Sequence, residues 1–305
     1  MKKKILLFLF FLSGINMIAA QGLIPLWPER KMPNSKGMHL TDSIARERLY
    51  QVGTPRMYTF LAPKEKNTGA AILIVPGGGY HSLIADYSKP SEALYYQERG
   101  INVFVVCYRL PTSPDLLNPE IAPFQDIQRA MRIIHAHAEE WGIDPKRIGV
   151  HGSSAGGHAA TTLGTHAEDV SAIKDEFDRY PYKPAFMMLI SPVISFQDPI
   201  AHKPTKGCLL GKNPSEALVL AYSNECHITG DTPPTLLIHA DNDASVSPLN
   251  SIVFYQALKA AGVSSSLHIF PFGGHRLDIQ NNLGSAKMMG EISVEWLKEM
   301  KFIPQ

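Results

Sequence analysis

The chain has 305 residues, with 29 Lys and Arg against 28 Asp and Glu, and 45% of its residues are hydrophobic. Near-neutral charge with no basic patch beyond residues 2–4 excludes a nucleic-acid-binding surface and points to a small or neutral partner. The length suits one large α/β domain or two small ones, ample to bury a core without staples, and three cysteines fit no disulfide framework.

Lys2, Lys3 and Lys4 precede an apolar run from Ile5 to Ile18 that closes on Ala19 and Ala20. This is the layout of a secretory signal peptide over residues 1–20. The run is short for a membrane span, so cleavage and release to the periplasm or medium are expected, without stable membrane association. Cleavage would take three of the 29 basic residues and none of the 28 acidic ones, turning the formal charge from +1 to −2.

Residues 21–55, rich in Pro, Lys and Arg, read as an irregular N-terminal arm ahead of a catalytic domain over 56–305. Residues 56–61 alternate like a half-exposed strand, and 70–75 are apolar throughout, as in a strand covered on both faces. Pro76-Gly77-Gly78-Gly79-Tyr80 follows, then a helix near 90–99, a strand over 101–107 and a long amphipathic helix over 123–141. Further strands are expected at 146–151, 186–190, 235–239 and 267–270, with helices at 214–222, 251–261 and 286–300. This rhythm predicts an α/β fold whose mostly parallel central sheet carries helices on both faces. The longest irregular segment, about 195–234, follows a strand and is a candidate cap over the site.

The strand at 146–151 runs into Gly152-Ser153-Ser154-Ala155-Gly156, the strand–turn–helix pattern of a nucleophile elbow with Ser154 at its apex. Such a turn holds a hydroxyl clear of the sheet, and crowding requires glycine two residues before and after it. A serine of this kind needs a histidine base and a carboxylate, each in a loop just past a strand, in the order Ser, Asp, His. Asp243 and His275 have that order and placement. Asp241 competes for the acid; Asp243 is preferred because it lies in the loop proper, with Val246 able to tuck back against the core. The Gly77–Gly79 turn can bring backbone N–H groups close to Ser154, while the N–H of Ala155 opens the helix. No H-E-x-x-H or paired-cysteine spacing suggests a metal, and no cofactor is implied. Cys107 reads as a buried small hydrophobe; Cys208 and Cys226 flank a polar stretch, and spacing leaves open whether they pair.

On Pro76 to Tyr80, Tyr108-Arg109-Leu110, Gly142-Ile143-Asp144-Pro145, Gly152 to Gly157, Asp243 to Val246 and Gly273-Gly274-His275, the chain resembles the α/β-hydrolases of the carboxylesterase and lipase type. More narrowly it resembles secreted bacterial acetylxylan-esterase-like enzymes, over about residues 57–300. The resemblance implies Ser154 as nucleophile, His275 as base and Asp243 as its orienter, with the N–H groups of Gly78, Gly79 and Ala155 as the oxyanion hole. It also implies removal of short acyl groups, chiefly acetyl, from plant-cell-wall polysaccharides such as xylan, an acylated polysaccharide or oligosaccharide being the partner. A feruloyl esterase, a serine exopeptidase and a non-catalytic carbohydrate-binding protein are the alternatives. Two residues depart from related patterns: Pro76 stands where the hormone-sensitive-lipase group has a loop histidine, and Arg276 follows His275 where glycine is common.

Overall fold

A computed structural model of the chain describes residues 22–28, 31–84, 91–279 and 282–305; the signal segment expected over 1–20 lies outside the described residues. The strands are β1 (Gly22–Pro25), β2 (Ser43–Ala45), β3 (Arg48–Gln51), β4 (Arg56–Phe60), β5 (Ala71–Val75), β6 (Leu83–Ile84), β7 (Asn102–Cys107), β8 (Ile148–Ser153), β9 (Met187–Ile190), β10 (Thr235–Ala240) and β11 (Ser265–Phe270). Eight of them form one sheet in the order β1-β4-β7-β5-β8-β9-β10-β11. β4 is antiparallel to β1 and β7, and the pairs from β7 across to β11 are parallel.

The apolar runs explain the layering. Side chains alternate across a strand, so Ala71, Leu73 and Val75 of β5 enter one core while Ile72 and Ile74 enter the other. β7 divides in the same way, Phe104 and Val106 on one face and Val103 and Val105 on the opposite one. Helices α2 (Ala122–Ala136), α3 (Ala155–Thr165) and α6 (Leu249–Ala260) cover the first core. Helices α1 (Ser91–Gln97) and α7 (Met289–Glu299) cover the second. The remaining helices, α4 (Lys203–Leu210) and α5 (Glu216–Ala221), lie in the cap segment between β9 and β10.

Three expectations need correction, and one question left open is answered. The arm is not irregular: β1 extends the main sheet, and β2 and β3 form a hairpin that pairs with β6 in a separate three-stranded sheet. The helix expected over 123–141 ends at Ala136, because His137 leaves the helical region at φ −101°, ψ 10° and its ring stacks on Trp141 at 5.0 Å. Helix α4 was not expected, since Lys-Pro-Thr-Lys-Gly has little apolar periodicity, but its proline falls in the first turn, where no N–H is needed. All three cysteines are free thiols, and the Cys226 Sγ accepts from Gln197 Nε2 at 3.4 Å.

The loop after β7 is locked to α2 by charge. Arg109 and Asp126, 2% and 0% exposed, pair at 2.8 Å, and the Asp126 carboxylate also accepts from the Arg109 amide and from Trp27 Nε1. Arg109 Nη1 donates to the Pro33 carbonyl. A buried pair of this kind is tolerable because every oxygen of the carboxylate is occupied, and here it also fastens the arm to the domain.

Candidate active site

β8 ends at Ser153 and the chain turns through Ser154, at φ 54° and ψ −123°, into α3. A non-glycine residue in that region is strained and must be held by its surroundings. The Ser154 amide donates to the Ile190 carbonyl at 3.1 Å, while its own carbonyl accepts from His158 and Val193. A Cβ on Gly152 would overlap the Gly156 carbonyl oxygen, and one on Gly156 would overlap that of Val75, so the close approach of α3 to the sheet requires both glycines.

Ser154 Oγ lies 2.9 Å from His275 Nε2, and His275 Nδ1 lies 2.8 Å from Asp243 Oδ2. A carboxylate facing Nδ1 places the ring proton there, which leaves Nε2 able to accept from the hydroxyl. Asp241, the competing acid, is exposed, and its amide is tied to the Phe270 carbonyl. The side chain of Asp243 is fully buried. Its Oδ1 accepts from the amides of Ser245 and Val246, both at 2.9 Å. Burial pushes this carboxyl up, but the hydrogen bonds from His239, His275 and Val246, with the charge of His275, outweigh it and hold the group well below the usual carboxylate range.

His239 was not singled out by the sequence, where it reads only as the end of β10. Its Nε2 faces two acceptors, Asp243 Oδ2 at 3.2 Å and the Val246 carbonyl at 3.0 Å, so Nε2 carries the proton and Nδ1 accepts from Ser251 Oγ at 2.8 Å. Asn242 was missed too: its Oδ1 accepts from the amides of Gly273 and Gly274 at 3.0 and 2.9 Å and thereby fixes the loop carrying His275. Asn242 acts between two loops that meet only at the edge of the folded sheet, whereas the partners of His239 lie within twelve residues of it and no spacing rule for a triad includes them.

The glycine turn after β5 backs directly onto the elbow: a Cβ on Gly77 would press on the Ser153 carbonyl oxygen and on Ser154 Cβ. Gly78 and Gly79 have φ of 138° and 66°. The Gly78 carbonyl accepts from the amides of His81 and Ser82, and that of Gly77 from Ile84, which closes the turn. The Ala155 amide is the first of α3 and belongs to the group of helix amides without an intrahelical acceptor. Tyr108 Oη donates to the Pro76 carbonyl at 2.8 Å, and Tyr80 Oη meets His158 Nδ1 at 3.0 Å. His158 Nε2 donates to the Tyr222 carbonyl, and its ring stacks on Phe196 at 4.4 Å. One buried imidazole thus joins the glycine turn, the elbow helix and the cap. From the cap, His202 Nδ1 bonds Thr205 Oγ1 at 2.6 Å. Burial lowers the His202 imidazole, the charge of His275 lowers it further and Asp243 opposes both.

Burial pushes His158 down to about 3 and His135 down to about 4, and lowers His166, His202 and His268 in the same direction. These rings stay neutral in the folded protein at a pH where the unfolded chain protonates them. The unfolded state then binds more protons, so stability falls as pH drops from about 6.5 towards 3. His158 alone accounts for about 3 kcal/mol between pH 7.5 and 4.5. Urea unfolding at the two pH values should show a loss at least that large, and His158→Gln should reduce the difference. An equal difference in the variant would remove His158 as its source.

Residues 57–258 match the BD-FAE family. An acetylxylan esterase of Xylanibacter ruminicola is 33% identical over 227 residues, covering 73% of this chain and 44% of that protein. Endo-1,4-beta-xylanase B of Butyrivibrio fibrisolvens is 30% identical over 233 residues, covering 76% of this chain and 36% of that protein. The chain therefore spans less than half the length of these two relatives. Among solved structures, an acetyl ester-xyloside bifunctional hydrolase from Caldicellulosiruptor lactoaceticus superposes with a TM-score of 0.78 at 32% identity, covering 94% of this chain and 99% of that one. An esterase of Thermogutta terrifontis, at 23% identity and a TM-score of 0.67, shares the fold. A family match across most of the sheet, together with an elbow and strand order of this kind, makes the chain a member of the BD-FAE family with an α/β-hydrolase fold.

Proposed function

We propose that this protein is an exported serine esterase that removes short acyl groups, chiefly acetyl, from xylan-type polysaccharides or their oligomers. The observation that carries the reading is the continuous hydrogen-bonded chain from Ser154 Oγ through His275 to Asp243. In this reading Ser154 Oγ attacks the ester carbonyl carbon while His275 Nε2 takes its proton, and the N–H groups of Gly78, Gly79 and Ala155 receive the negative charge that forms on the carbonyl oxygen. The C–O bond to the sugar breaks, and His275 returns the proton to the departing hydroxyl. Water then attacks the acyl-serine with His275 as base, releasing the acid and restoring Ser154. Asp243 stabilises the imidazolium in both steps.

Support for the substrate class comes from the acetylxylan esterase and xylanase relatives and the acetyl ester-xyloside hydrolase neighbour. The cap segment carries exposed polar residues such as Lys203, Lys212 and Asn213, which suits a hydroxyl-rich alcohol better than a long acyl chain. The lysine-led apolar run over residues 1–20 supports export, where such polysaccharides are met.

The test is acetate release from acetylated xylan, set against ferulate release from feruloylated arabinoxylan and a p-nitrophenyl ester series from C2 to C12. Acetate release with a fall of about tenfold or more beyond C4 is expected. Ferulate release without acetate release would move the assignment to a feruloyl esterase.

A further inference from the structure

The N-terminal arm reaches the site through its hairpin. β3 pairs with β6 in the register Arg48↔Ile84 and Leu49↔Leu83, and β6 leaves the glycine turn directly. The Ile84 amide also donates to the Gly77 carbonyl at 3.0 Å, and Arg48 Nη1 donates to Ser82 Oγ at 3.2 Å. Strand alternation sends Leu49 and Leu83 into the core, both fully buried, and turns Tyr50 outward, 39% exposed. There the Tyr50 ring meets the exposed ring of His81 edge-on, with centroids 5.9 Å apart and an interplanar angle of 65°.

His81 stands at the lip of the turn. Its Nδ1 is 3.5 Å from where a Cβ on Gly79 would lie, and Thr205 Oγ1 is 4.0 Å from the same point on the cap side. The Tyr50–His81 pair and, from the cap, the fully buried Thr205 therefore both approach the turn. Leu49 and Leu83 anchor the hairpin in the core, while Tyr50 stays partly exposed on its outer face.

We infer that Tyr50 and His81 form a sugar-binding lip for the pyranose rings of an acylated oligosaccharide, the Tyr50 ring taking the C–H face of a sugar and His81 its hydroxyls. This deepens the proposed function and rests on it. The chemistry fits: a phenol ring is an apolar plate with a polar edge, and an imidazole both donates and accepts. A sugar presents the complementary pattern, whereas an acetyl group alone does not.

The experiment compares kcat/KM on acetylated xylotetraose with kcat/KM on p-nitrophenyl acetate for wild type, Tyr50→Ala and Tyr50→Phe, with melting temperatures for all three. The lip predicts that the ratio of the two specificity constants falls about tenfold in Tyr50→Ala, mainly through KM for the oligosaccharide, and is restored in Tyr50→Phe, which keeps the ring. An unchanged ratio in Tyr50→Ala, with wild type active on both substrates, overturns the lip alone. An equal fall on both substrates assigns Tyr50 a structural role and overturns it as well. Wild type that hydrolyses p-nitrophenyl acetate but leaves the acetylated oligosaccharide intact refutes the proposed function, and the lip with it.

Discussion

Replacing Ser154 by alanine is expected to lower kcat on p-nitrophenyl acetate by about 10⁵- to 10⁶-fold, the scale at which a serine hydrolase loses its nucleophile. The hydroxyl bonds His275 Nε2, and no second hydroxyl is hydrogen-bonded to that nitrogen among the described residues. The backbone donors of Gly78, Gly79 and Ala155 remain, so a residual rate above the water reaction should persist. The fold should be indifferent to the change. Alanine keeps the Cβ that Ser154 already carries at φ 54°, and the bonds that hold the apex are made by its backbone to Ile190, His158 and Val193. Initial-rate kinetics with a melting curve for each protein check both halves. Full activity in Ser154→Ala would remove Ser154 from the chemistry, whatever the distances.

Asp243→Asn should cost about 10⁴-fold in kcat, for a reason visible in its partners. Both carboxylate oxygens accept and neither donates: Oδ1 takes the amides of Ser245 and Val246, and Oδ2 takes the N–H groups of His275 and His239. Asparagine offers one oxygen and one NH2. If the NH2 faces the imidazoles, His275 must put its proton on Nε2 and can no longer accept from Ser154. If the NH2 faces the loop, it opposes two backbone N–H groups, and the turn that holds the acid is strained. The folded state also loses a carboxylate held far below its usual range, which stabilises the protein above about pH 4 and loses that effect as pH falls through the folded value. The variant should therefore unfold at lower urea than wild type at pH 7, with the gap narrowing in strong acid. A kcat within tenfold of wild type would mean that Asp243 does not set the tautomer of His275.

The most legible feature of the sequence is the elbow. Gly152 is demanded by crowding against Gly156 and Ala160 within the elbow itself, so a five-residue pattern suffices to announce Ser154, although Gly156 is demanded by the close approach of Val75 and Pro76. The buried strands are legible for a similar reason: the unbroken apolar runs of β5 and β7 can only be covered on both faces. The arm is harder to read. Gly22–Pro25 and Ser43–Ala45 are only four and three residues long, and they become strands because β4 and β3 offer them edges. Helix α4 is hidden likewise, since it buries only Thr205 and Leu209, and of these only Leu209 joins the hydrophobic core.

Composition, export-like patterning and the elbow chemistry belong to the chain as written, because each depends on residues within one or two turns of one another. The pairing of partners does not. Ser154 and His275 are 121 residues apart, and they meet because β8 and β11 end on one side of a sheet whose order places β9 and β10 between them. The choice of Asp243, the bracing of the glycine turn by Tyr80 and His158, and the placing of Tyr50 at its lip follow from where those strand ends and loops converge. Such contacts are tertiary, since strand order and burial decide which side chains share a few ångströms, and no local propensity encodes that order.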